Sequence, residues 1–169
     1  MNTEFFQCNG ATERHDELVK IGKSKYLLIF GYGVDAAGNG YTMRKYYDHR
    51  PDHAELKSDI ESLINAATDR RILTGFKWNG KPVWLSTENQ SNFKNAYDFA
   101  RDTNGATLPI KFKLGEDSTG TPVYHTFTKF EVLQDFVLKA SDYVNTTLNE
   151  GWVEKDSVDY DSLITGCDE

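Results

Sequence analysis

Apolar and polar residues change period several times along the chain, and each change predicts an element. From Lys25 to Val34 the run KYLLIFGYGV is rich in β-favouring residues, DAAGNG follows as a loop, and YTMRKYY returns as a second strand from Tyr41 to Tyr47. That pattern predicts a first hairpin. After Pro51 the period lengthens: Leu56, Ile60, Leu63, Ile64 and Ala67 form one apolar stripe at helical spacing, with Asp52 and Glu55 as a capping box at its start. A second hairpin is centred on Asn79-Gly80, a dipeptide that tolerates the positive φ of a type I′ turn. Counting outward pairs Trp78 with Lys81, Phe76 with Val83 and Thr74 with Leu85. Phe76, Val83 and Leu85 then face the core and Trp84 points to the other side.

Ser86 or Thr87 can cap the next helix, in which Phe93, Ala96, Tyr97 and Ala100 recur at i, i+3, i+4 and i+7. It is predicted to run from about Glu88 to Asp102 and to stop at Asn104-Gly105. Between Leu108 and Leu114 the apolar Ile110, Phe112 and Leu114 alternate with Lys111 and Lys113, the signature of a half-buried strand. GEDSTG is its loop and Thr121 to Phe127 the return strand. A last helix opens with Thr128 and Glu131 as capping box and carries Leu133, Phe136, Val137, Ala140, Val144 and Leu148 on one face. Gly151-Trp152 reads as its Schellman stop, with Trp152 folding back on the final turn.

Laid end to end, these elements predict an α+β fold of three antiparallel hairpin-plus-helix units, ββα-ββα-ββα, with helices packed on one face of the sheets. The predicted organisation is an N-terminal arm or tether over residues 1–24, a single α+β domain over 25–152, and an acidic C-terminal tail over 153–169. The stretches Gly80 to Ser86 and Gly120 to Thr126 share letters, and each precedes a capped helix. Duplication and convergence on the same turn physics account for this equally well. Pro82 and Pro122 each remove a ladder donor, which places an edge or a bulge in both return strands.

Composition narrows the function classes. The 169 residues are 38% hydrophobic, enough for a core and against wholesale disorder, and no apolar run is long enough to span a bilayer. A net charge of −7 disfavours binding to a phosphate backbone and favours solubility or a basic partner, so nucleic acid is not expected as a partner; nor, without a spanning run, is a membrane. The start MNTEFFQCNG lacks the charged and apolar regions of a signal peptide, and synthesis in the cytoplasm is the expectation. Cys8 and Cys167 have neither metal-site nor redox-motif spacing and read as free thiols.

Candidate chemistry is sparse. Gly31-Tyr32-Gly33-Val34-Asp35-Ala36 resembles a dinucleotide fingerprint in letters, but Gly38, Asn39 and Gly40 prevent the helix that must follow to receive a pyrophosphate. His49 and His53, flanked by Asp48 and Asp52, have metal-ligand types at i, i+4, yet Pro51 between them removes the helical geometry such a pair needs. His15 and His125 are isolated. No nucleophile elbow, P-loop or zincin motif occurs. The expectation is a non-enzymatic protein with no cofactor and no metal. What stands out is aromatic surface: Trp84, Tyr124, Tyr46, Tyr47 and Tyr32 lie on strands and cannot all face one buried side, so they are the candidate protein-interaction residues. The proline-bearing strand edges offer a further docking place.

Arg71 to Gly80, Pro82 to Ser86, Glu88-Asn89-Gln90 with Asn92-Phe93, Leu108 to Lys113, Pro122 to Phe127 and Glu150-Gly151-Trp152 together resemble a domain of unknown function. That domain recurs in proteins of bacteriophages and prophages, including those of Bacteroides-type gut bacteria. The similarity spans roughly residues 44–160 and leaves residues 1–40 outside. The resemblance implies a viral or prophage origin near tail-fibre or tail-assembly genes and supplies no catalytic residues. The resulting expectation is a virion structural or tail-associated protein of fibre, baseplate or capsid decoration, contacting phage structural proteins or further copies of itself. The alternative is a small assembly chaperone or host-interference protein acting in the infected cell. Location follows the role: host cytoplasm during synthesis, and the virion for a structural part.

Overall fold

The computed structural model describes residues 4–167. The chain is α+β with antiparallel sheets, and it divides into two compact units: residues up to Ile64 together with those from Lys155 onward, and residues Asn65–Glu154. The divisions fall within two helices, α1 (His53–Thr74) and α3 (Phe130–Asp156).

The first unit is built on the predicted hairpin of β3 (Tyr26–Val34) and β4 (Gly40–Tyr47). In β3 the alternate residues Tyr26, Leu28 and Phe30 are buried, as period-2 patterning on a half-buried sheet requires. A bulge between Phe30 and Gly33 then shifts the register, with Gly31 at φ 69. Two strands flank the hairpin: β1 (Phe6–Asn9) pairs with β4 and β2 (Glu17–Lys20) with β3, giving the order β1-β4-β3-β2. Leu18 of β2, Leu28, Phe30 and Tyr47 meet Leu56, Ile60 and Ile64 of α1 in one core. Leu163 of α4 (Tyr160–Gly166) joins them; that helix is capped by Asp159, whose carboxylate accepts from the Ser162 amide.

The second unit opens with the Asn79-Gly80 turn, both residues at positive φ (49 and 76), joining β5 (Lys77–Trp78) to β6 (Lys81–Pro82). Trp78 pairs with Lys81 as counted from the turn. Ser86 caps α2 (Thr87–Asp102) by accepting from the Asn89 amide, and Asn104 and Gly105 end it at positive φ. β7 (Ile110–Glu116) and β8 (Pro122–Phe127) form the third hairpin. Its inner face brings Leu114 and Phe127 against Phe93, Leu133 and Phe136, all essentially removed from water, with Trp78 edge-on to Phe136 at 5.3 Å.

Several expectations are corrected. The element order is ββββαββαββαα in three separate sheets, which differs from three successive ββα units: β1 and β2 lead, and α4 closes the chain. Within the expected N-terminal arm, β1 and β2 are paired strands, because Leu18 buries itself beside Leu28. Within the expected acidic tail, residues to Asp156 continue α3 and Leu163 anchors α4; Asp168 and Glu169 lie outside the described residues. The residues expected as a single domain over 25–152 are shared between two compact units with separate cores. α1 runs on through Thr74, which shortens the second hairpin: Leu85 donates to the Leu73 carbonyl from beyond the ladder. The Gly151-Trp152 stop is absent, and α3 continues to Asp156. Among the described residues no helix is long and apolar enough to cross a membrane.

Candidate interaction surface

The five aromatic residues singled out from the sequence do not form one set. Tyr47 is a core residue, only 4% exposed, and its hydroxyl donates to Asp59 at 2.7 Å. Lys45 also holds that carboxylate, at 2.6 Å. Burial, reinforced by Asp59, pushes the Tyr47 phenol well above its ordinary range. Its expected place on an interaction surface is therefore corrected: a strand residue on the α1 side of the sheet had to point inward. Tyr46 is half-buried and stacks on Phe6 at 5.4 Å, while Tyr32 is exposed within the bulge. These three belong to the first unit, whereas Trp84 and Tyr124 belong to the second.

Trp84 and Tyr124 are brought onto one side of the β7–β8 hairpin. The Trp84 amide donates to the Leu114 carbonyl at 2.7 Å, laying residue 84 along β7. The approach is close: a Cβ on Gly115 would fall 3.1 Å from the Pro82 carbonyl oxygen and 3.2 Å from the Trp84 ring. In the ladder Lys113 is opposite Tyr124 and Lys111 opposite Thr126, and directly opposed residues share a face. The Lys113 ammonium lies 5.2 Å from the Trp84 ring centroid and the Lys111 ammonium 4.6 Å from that of Tyr124. Cations at these distances are attracted by the ring quadrupole, by about 0.5–1 kcal/mol at exposed sites. The result is a row in which ring and cation alternate: Trp84, Lys113, Tyr124, Lys111. Tyr124 is 51% exposed, and Glu116 pairs with Lys113 at the end of the row.

Sequence reading found the two rings and missed the lysines, although their alternation with Ile110, Phe112 and Leu114 was the available signal. It also missed a second feature. The helices α2 and α3 leave an open groove of about 580 Å³, floored by Phe93, Tyr97, Val137 and Val144 and rimmed by Lys94 and Arg101. Leu138 stands exposed on its edge, and farther along α3 Trp152 is exposed, where a folded-back ring was expected.

The titratable residues are held by local partners. His49 sits between Asp48 at Nδ1 and Glu55 at Nε2, both at 2.8 Å, and these hydrogen bonds, Asp48 first, hold its pKa above the ordinary histidine value. His53 lies against the Tyr160 ring at 5.2 Å. His125 contacts Lys81 at 3.2 Å and is lowered by burial and then by that ammonium. Among the described residues no group of three or more His, Cys, Asp or Glu could hold a metal ion. Gly31 to Ala36 lies in β3 and its hairpin loop.

The two units thus define an α+β protein whose second unit carries the row of rings and lysines and the α2–α3 groove. No protein-family model, curated protein or solved structure matches the chain.

Proposed function

We propose that this is a non-enzymatic protein-interaction module, and that the outer face of the β7–β8 hairpin is the surface with which it holds an acidic segment of another protein. One observation carries the reading: Trp84, Lys113, Tyr124 and Lys111 alternate ring and cation on one face, with the two lysines and Tyr124 exposed and Trp84 half-buried. Rings supply apolar contact at low entropic cost, and ammonium groups select carboxylates. The packed inner face fixes their spacing, so little ordering remains to be done on binding. The setting suggested by the resemblance, a bacteriophage structural or tail-associated protein, belongs to the same proposal and supplies the class of partner: another structural protein of the particle.

A photo-crosslinking residue placed at Tyr124 tests the reading in cells that express the full chain and its neighbours. The expected result is a discrete adduct, identified by mass spectrometry, which disappears when Lys111 and Lys113 are both changed to glutamate. An adduct equally strong from Phe99, exposed on α2, or one indifferent to the two charge reversals, overturns it.

A further inference from the structure

We infer that the chain pairs with a second copy of itself through α3, the Trp152 of each copy seating in the α2–α3 groove of the other about a two-fold axis at Asn145. This surface uses different residues from the hairpin face and does not depend on it.

The argument begins with spacing. Leu138, Asn145 and Trp152 are seven residues apart within one helix, so they share a face with only about 20° of drift per step. Leu138 is 57% and Trp152 55% exposed, so both apolar side chains are open to a partner. Asn145, exposed, lies midway between them. Antiparallel pairing about Asn145 therefore sets Leu138 of each copy opposite Trp152 of the other, so one contact is made twice. That is the self-complementarity a two-fold interface requires.

A protruding ring and a recess to receive it occur on the same helix. The groove lies beside Leu138 and is lined by Phe93, Tyr97, Val137 and Val144, and its volume of about 580 Å³ accommodates an indole. Trp152 lies eight residues beyond Val144, about 12 Å at the helical rise, so it stands outside the groove of its own chain and is not among its lining residues. The rim is compatible with this docking: Lys94 at the groove's edge offers a cation to the incoming ring. The axis brings Lys139 opposite Gly151 and its neighbour Glu150, charges of opposite sign, each already ion-paired within its own chain. Asp142 comes opposite Leu148, so no like charges meet. A polar asparagine on the axis, midway between Leu138 and Trp152, favours this register, because each amide then meets that of its mate.

The test is sedimentation equilibrium of the full chain over a wide concentration range. A monomer–dimer equilibrium is expected, weakened about 30-fold or more by Trp152→Ala, the loss typical of a central tryptophan. Leu138→Asp should act likewise; both residues are exposed, and unchanged circular dichroism and melting would exclude misfolding. In a chain with Cys8 and Cys167 changed to serine, Asn145→Cys should form an intermolecular disulfide on mild oxidation, because the axis sets each Asn145 against its mate. Val132→Cys, on the same helix away from the axis, should not. A protein monomeric at every concentration, a dimer indifferent to both substitutions, or cross-linking at Val132→Cys equal to that at Asn145→Cys overturns the inference.

Discussion

A Cβ placed on Gly151 of α3 would lie 2.6 Å from Oγ1 of Thr68 on α1, closer than side-chain carbons approach oxygen. The glycine therefore sits where the helix continues, and its purpose is to let two helices meet. Beside it Tyr143 donates to the Arg71 carbonyl and Arg71 pairs with Glu150, two ties that converge on one residue of α1. In Gly151→Ala overpacking should cost about 1–3 kcal/mol against a gain of about 1 kcal/mol in helix propensity, a net loss of up to about 2 kcal/mol. Urea denaturation measures it. In a Thr68→Ala background the clash is gone, and the same substitution should turn neutral or stabilising.

Leu18 provides a second prediction, because an arm and a strand give opposite answers. It is 1% exposed and packs with Leu28 and Phe30. Leu18→Ala should cost about 2–5 kcal/mol, as expected for a buried leucine, whereas a tethered arm would show no change. Chemical denaturation separates the two.

Tyr47 tests the division between core and surface. Its hydroxyl donates to a carboxylate that also holds Lys45, and a hydrogen bond to a charged acceptor is worth about 1.5–3 kcal/mol. Tyr47→Phe should lower stability by that order while leaving the oligomeric state and the crosslink from position 124 unchanged. In an ultraviolet titration this phenol should ionise after the exposed tyrosines. Because its native pKa is raised, its contribution is complete below about pH 10 and declines as the pH rises from there toward the native value.

The pH dependence near neutrality should carry the mark of His49. Asp48 and Glu55 raise its pKa in the folded state, so the stability it contributes is fully present below about pH 6.5 and is lost as the pH rises through the raised native value. NMR titration should place the His49 midpoint above that of His125, which burial lowers. Glu55→Gln should bring the His49 midpoint down. A midpoint unmoved by that substitution would remove Glu55 from the account.

Much of the local structure was legible in the sequence. Asn79-Gly80 specified its turn through positive φ, Ser86 its helix start, Asn104-Gly105 the following stop, and Ile110, Phe112 and Leu114 the buried side of β7. One regularity was available and unread: Asp35 and Asp117 each open a loop D-x-x-G, accept two backbone amides, and precede a glycine at positive φ three residues later. The segments that resisted reading were those too short to show a period. The four residues of β1 and of β2 cannot announce a strand, because only the neighbouring strand supplies their hydrogen bonds.

The candidate surfaces divide in the same way. Sequence by itself determined the turns, the caps, the alternation of lysine with apolar residues in β7, and the presence of more aromatic rings than one sheet face could bury. These follow from contacts within a few residues and from backbone preferences each residue carries with it. Tertiary structure alone decided that Tyr47 is core, that Trp84 lies beside Lys113, that Gly151 is a point of close approach, and that Trp152 faces outward. The first three depend on a partner in another element, Asp59 on α1, Leu114 on β7 and Thr68 on α1, and local residue preferences do not specify which such side chain will occupy the adjacent space.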